Sequence, residues 1–213
     1  VYSMDELDMS EGTWLVLAQA NYFLEDIAEN LRSMGFLFER SHGRSISERL
    51  SEAVNGWEQL RKGREVSLHA AQTVYSYMSG NGKKIARGHK TINAPEDEFF
   101  SLKRLQDDYG LLATKDEIWH EAMDKLPAAD RAYMTALLRR GEPFNGKPRI
   151  KLSTIHASKG GEADNVLLFT DLTPAAANQQ GSDIHRVFYV AVTRTREKLF
   201  LIEGNDYCEN YLI

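Results

Sequence analysis

The sequence predicts an α/β fold in which a parallel sheet is interrupted by a long helical insertion. Three features carry this reading. Residues 13–38 open as strand, helix, strand. The same alternation resumes after Arg149. Between them, residues 41–148 read as helices joined by polar connections, with no convincing strand run. A helix connecting two strands favours parallel pairing, since strands running the same way need a crossover to return the chain.

Taken in order, the first ten residues (VYSMDELDMS) form an acidic, irregular lead-in. Residues 13–18 (TWLVLA) are a short apolar run bounded by Gly12 and Asn21, the pattern of a buried strand. Residues 22–34 follow as an amphipathic helix, with Leu24, Ile27, Ala28 and Leu31 on one face and Asn21 placed to cap it. Gly35 stands where a terminating glycine belongs, and residues 36–38 (FLF) read as the second strand. The insertion divides into helices near 45–61, 67–78, 96–105, 115–124 and 128–140. Gly80, Gly82 and Gly88 punctuate one long loop, and Gly141, Pro143, Gly146 and Pro148 mark the exit. Residues 150–155 and 166–170 then read as strands, 183–193 as a helix and 198–202 as a last strand.

Composition bounds the rest. The chain has 213 residues, 42% hydrophobic and 27% charged, which is globular and excludes disorder. No apolar run approaches the ~18 residues needed to span a bilayer. One cysteine, Cys208, excludes an internal disulfide or a cysteine-rich zinc site and reads as an inert thiol in a reducing cytoplasm. A net charge of −5 argues against a protein that coats nucleic acid, while leaving room for a local phosphate-binding groove.

Two stretches carry chemistry. Residues 154–162 (TIHASKGGE) follow a strand and combine hydroxyl, imidazole and ammonium groups with two glycines. Such a loop is either a solvated turn or a cradle for phosphate, ribose or a nucleic-acid backbone. It is not a Walker A loop, because GxxxxGK[ST] occurs nowhere in the chain. Residues 186–196 (RVFYVAVTRTR) set Arg186 and Arg194 eight residues apart, nearly on one helix face. Arg194, at the helix end, either complements the helix dipole or projects its forked donors toward an anion.

Together these stretches resemble motifs V and VI of UvrD/Rep-type superfamily 1A DNA helicases. Thr154, His156, Lys159, Gly160, Glu162 and Val166 match the first motif, and Arg186, Tyr189, Val190, Thr193, Arg194 and Leu199 the second. Residues 12–39 (GTWLVLAQANYFLEDIAENLRSMGFLFE) resemble the motif IV strand and helix. The resemblance implies the C-terminal half of such a helicase: a RecA-like, P-loop-NTPase-type domain lacking its own Walker A. Residues 1–40 and 149–213 would form this second RecA-like domain (2A), interrupted at 41–148 by a reduced 2B-like insertion. The opening at Val1, near motif IV, fits that half of a longer protein.

The resemblance further implies an ATP-dependent DNA helicase or translocase moving 3′ to 5′ on single-stranded DNA. ATP with Mg2+ would be held mainly by an N-terminal RecA-like domain of the same protein, without which this chain would be inactive. Arg194 matches the arginine finger that contacts the γ-phosphate. Glu162 matches the glutamate that hydrogen-bonds the ribose, and Gly160 lets the loop pass close to the nucleotide. Thr154 and His156 match positions near the DNA backbone, with Lys159 adding charge or serving structure. Tyr189 and Arg186 would support the helix and its cleft-facing side.

The sequence departs from the family at four positions. Gln19 stands where motif IV usually carries a second γ-phosphate arginine, Ala18 where an aromatic stacks on the base, and Gly161 and Ala163 where bulky apolar residues are common. Gln19 can donate a hydrogen bond but carries no charge. The alternative reading is a non-catalytic nucleic-acid-binding or protein-interaction module built on a degenerate helicase domain. Lys83, Lys84, Arg87, His89 and Lys90 form a basic cluster that either tracks phosphates or is solvated. Trp57 and Trp119 read as core, and Asp107, Asp108, Glu117 and Glu121 as solvated faces rather than metal ligands.

Overall fold

In the computed structural model, residues 4–178, 182–203 and 209–212 are described, and Cys208 lies outside them. In chain order the elements are β1 (Trp14–Ala18), α1 (Asn21–Ser33), β2 (Phe38–Arg40), β3 (Gly43–Arg44), α2 (Glu48–Arg61), β4 (Val66–Ser67), α3 (Leu68–Ser76), β5 (Phe99–Phe100), α4 (Leu102–Tyr109), α5 (Trp119–Ala122), α6 (Ala128–Arg140), β6 (Ile150–Thr154), β7 (Ala163–Phe169), α7 (Pro174–Ala177), α8 (Ser182–Val192) and β8 (Thr195–Ile202). The chain divides into two compact units, one of residues 1–45 with 135–213 and one of Ile46–Met134.

The first unit is built on a sheet of order β3-β2-β6-β1-β7-β8. All neighbours pair in parallel except the short β2–β3 hairpin. β1 lies between β6 and β7, so its five residues are all buried, as a strand covered on both faces must be. β8 is the edge, where Arg196, Glu197 and Lys198 are exposed; charge there discourages pairing with another chain. On one sheet face Leu15, Leu17, Val166 and Leu168 pack with Phe188 and Ala191 of α8 and with Ile155 of the loop after β6. Each large apolar side chain buried this way contributes about 1.5–3 kcal/mol, which pins α8 and that loop to the same face.

Local chemistry explains where elements begin and end. α1 buries Leu24, Ile27, Ala28 and Leu31, the predicted face. Its N-cap is Ala20 rather than Asn21, and no side chain caps it. Gly35 ends the helix turn at φ +73°, where a Cβ would come within 2.6 Å of the Ala136 carbonyl oxygen. The next strand starts at Phe38, two residues later than the FLF run suggested, because Phe36 and Leu37 are buried in the approach to it.

The second unit is mainly helical, with serine hydroxyls capping α2 (Ser47), α3 (Ser67) and α4 (Ser101). The caps place the α2 and α4 starts later than the apolar spacing alone suggested. The expectation of no strands here is corrected by the two-residue pair β4–β5; segments this short leave no periodicity to read. Trp57 is fully buried and donates its indole N–H to the Glu117 carbonyl oxygen at 2.9 Å. Trp119 is also core. Glu117 pairs with Lys84, Asp108 approaches Arg104 at 4.0 Å, and Glu121 accepts from the Ile118 N–H at 3.1 Å. Lys90 donates to the carbonyls of Tyr75 and Met78, both at 2.5 Å. Two members of the basic cluster, Lys84 and Lys90, are thus engaged within their own unit.

The compact units change over at 45/46 and 134/135, inside the predicted 41–148 span. β3 continues the main sheet, and Arg44 donates to the carbonyls of Phe144 and Gly146. The Arg140 guanidinium lies 3.6 Å from the centre of the Phe36 ring, which ties the end of α6 to the first unit. Among the described residues, no helix is long and apolar enough to cross a membrane.

Candidate functional site

The crossover from β6 to β7 has only eight residues and must pass over the central strand β1. It does so as a tight 3-10 turn, His156–Ser158, closed by the Ser158 hydroxyl donating to the Ile155 carbonyl at 2.7 Å. Ile155 and Ser158 are buried, while His156 and Lys159 point outward. Gly160 follows at φ +84°, a left-handed conformation that glycine adopts without strain, and no atom lies within 4 Å of where its Cβ would be.

α8 packs beside this crossover through Phe188 and Ala191. Between them lies a cleft of about 280 Å³ lined by Ile155, His156, Lys159, Arg186, Val187, Val190 and Arg194. Its floor is apolar and its polar groups are an imidazole, an ammonium and two guanidinium groups. None of these lining residues is acidic, so the cleft suits an anion. Arg186 approaches one carboxylate, Asp183, at 3.4 Å.

Arg194 sits just beyond the end of α8, in the turn before β8, rather than on the helix itself. Its Nε–H donates to the Val190 carbonyl at 3.0 Å, and its own carbonyl accepts from the Ala163 N–H at 3.1 Å. The side chain is thereby held at its Nε, and Arg194 lines the cleft.

The other candidate residues lie elsewhere in the unit. Thr154 ends β6; its hydroxyl accepts from the Ala157 N–H at 3.2 Å, and it lines a separate cleft of about 400 Å³ with Asn21, Arg40 and His42. The structure therefore places Thr154 on a different cleft from His156, which lines the same cleft as Arg194. Glu162 is exposed and meets Arg196, with Arg196 Nε 3.2 Å from its Oε2. Gln19 is half-buried and accepts from the Thr173 N–H at 2.6 Å, which secures the start of α7. Gln19 does not line the cleft.

Tyr189 is 69% exposed and lines a second, largely apolar surface with His185, Phe188 and Tyr211; Arg186 borders both that surface and the cleft. The two residues, three apart on α8, lie on neighbouring parts of one helix face, and only Arg186 reaches the cleft. The Glu162–Arg196 pair went unread, although the RTR spacing at 194–196 was its available signal. Two carboxylates elsewhere in this unit have shifted acidities. Asp164 lies well below the usual carboxylate range, because the Thr13 N–H and hydroxyl both donate to it. Asp171, buried at the end of β7, is pushed up by desolvation. Among the described residues no group of three His, Cys, Asp or Glu side chains is arranged to hold a metal ion.

The sequence model of the UvrD-like helicase C-terminal domain matches residues 47–206, about three quarters of the chain. No curated protein matches the chain.

Proposed function

Because the chain belongs to the UvrD-like helicase C-terminal domain family, a family of helicase motor domains, we propose that it is the second RecA-like domain of an ATP-driven DNA translocase. The observation that carries this reading is the convergence of His156, Lys159, Arg186 and Arg194 on one cleft free of acidic side chains. In this reading the cleft faces the nucleotide's phosphates, which are bound mainly by an N-terminal RecA-like domain of the same protein.

Arg194 is the arginine finger. Phosphoryl transfer spreads negative charge over the equatorial oxygens of the transferred group, and a pre-positioned guanidinium stabilises that charge. The Val190 carbonyl fixes Nε, which leaves the terminal nitrogens for the phosphate and lowers the cost of orienting them. Mg2+ accompanies ATP, but the lining residues offer it no carboxylate, so its ligands belong to the other RecA-like domain. Glu162 takes the ribose, and Gly160 brings the backbone close to the nucleotide.

Thr154 opens on the second cleft, beside Arg40 and His42, and this is the side on which single-stranded DNA runs. The loop carrying both His156 and Thr154 then joins the nucleotide face to the DNA face in three residues. Motion of α8 against that loop on nucleotide binding would be transmitted directly to DNA. The insertion, residues 41–148, takes the place of the family's 2B domain, and translocation runs 3′ to 5′.

The test is ATP hydrolysis by the intact protein with and without single-stranded DNA. DNA-stimulated turnover is expected, with loss of about 10³-fold or more in kcat for Arg194→Ala. Undiminished turnover in that variant would remove Arg194 from the mechanism.

A further inference from the structure

We infer that Arg196 is a positioning residue that orients Glu162 toward the nucleotide ribose; this rests on the reading of Glu162 given above. The observation is the ion pair between Arg196 Nε and Glu162 Oε2 at 3.2 Å, across the start of the β7–β8 ladder, where Ala163 is paired with Thr195.

Glu162 has little else to hold it. It follows Gly160 and Gly161, has the small Ala163 after it, and is exposed. Around Gly160 there is open space where a side chain would otherwise pack. A carboxylate on so bare a loop samples many rotamers, and each one frozen on binding costs affinity. Arg196 stands on a strand, a rigid element, and its Nε engages one carboxylate oxygen. The other oxygen, Oε1, remains to accept from a ribose hydroxyl.

The second acid near Arg196 does not compete for this role. Asp164 is already committed, accepting from the Thr13 N–H at 2.8 Å and the Thr13 hydroxyl at 2.7 Å. Arg196 contributes to its acidity only through charge. Glu162 is therefore the acid that Arg196 contacts directly and orients.

The experiment compares ATP with 2′,3′-dideoxy-ATP as substrates of the intact protein, in the wild type and in Glu162→Gln, Arg196→Ala, Arg196→Lys and the Glu162→Gln/Arg196→Ala double variant. An exposed pair of this kind predicts a modest effect. Arg196→Ala is expected to raise KM for ATP about threefold, with kcat and the KM for the dideoxy substrate unchanged. Arg196→Lys restores much of the loss, and the double variant is no worse than Glu162→Gln alone. If Glu162→Gln abolishes discrimination between the two substrates while Arg196→Ala preserves it, the role of Arg196 is overturned and the ribose reading stands. If Glu162→Gln itself preserves discrimination, the ribose reading fails and this inference with it. A fall in kcat for Arg196→Ala also overturns a positioning role. Arg196 lies exposed on the edge strand, and Arg196→Lys keeps the charge and stem should the alanine variant fold poorly.

Discussion

Arg194 donates its Nε–H to the carbonyl of Val190 at 3.0 Å, one turn back along the end of α8. That carbonyl belongs to the last turn of the helix, where no further N–H of the helix is available to it. The same carbonyl accepts from the Thr193 hydroxyl at 2.9 Å, so two side chains share this helix-end acceptor and one of them is a guanidinium held at its Nε.

This makes Arg194→Lys a sharper probe than alanine. Lysine keeps the positive charge but has no Nε–H to share with Val190 and no fork to meet two phosphate oxygens. The expected outcome is a kcat within about tenfold of the alanine variant, measured as DNA-stimulated ATP hydrolysis, with the circular dichroism of the wild type. A lysine variant near wild-type turnover would show that charge alone suffices.

Gln19 makes an opposite prediction. Its Oε1 accepts from the Thr173 N–H at 2.6 Å, which holds the β7–α7 connection. Gln19→Ala leaves that N–H without its partner and is expected to cost about 0.5–1.5 kcal/mol in urea unfolding. Gln19→Arg cannot accept the bond either. It should lower stability by a similar amount and leave the KM for ATP where it was. A Gln19→Arg variant with tighter ATP binding would return this position to the nucleotide site.

Asp164 governs an acid-sensitive part of stability. The Thr13 N–H and hydroxyl lower its pKa in the folded state relative to the unfolded chain. Its contribution is therefore complete above the ordinary carboxylate value. It is lost as pH falls through that value and on through the lowered folded one, from about pH 5 downward. Asp164→Asn should be less stable than the wild type at neutral pH, and the gap should close as the solution is acidified. A gap that is constant with pH would contradict the assignment.

Much of this was legible in the sequence. α1 begins within a residue of the predicted helix and α6 matches its predicted span, because both carry clear apolar faces or strong breakers such as Gly35 and Gly141. β1 and β7 were readable as short apolar runs between turn residues. β3, β4 and β5 were not, since two residues cannot show a period of two. The N-cap of α1 was misplaced by one residue because Asn21, a favoured capping type, is itself the first helical residue.

At the site, the resemblance to motifs V and VI singled out His156, Lys159, Glu162 and Arg194 from sequence alone. Which of these face each other was another matter. Burial of Ile155 and Phe188 in one core docks the loop against α8 and brings His156, Lys159, Arg186 and Arg194 to one cleft. Thr154, two residues from His156, is turned to a different cleft by the strand it ends.

By itself, then, the sequence determined the fold class, the family and the chemical types available, because these follow from local periodicity and motif order. Only the tertiary structure decided that Gln19 binds Thr173, that Glu162 meets Arg196 and that Arg186 shares a cleft with Arg194. Two of these contacts join residues far apart in the chain, and the third depends on the packing of α8. All three are set by how the strands order and by which face α8 buries, neither of which a linear pattern encodes.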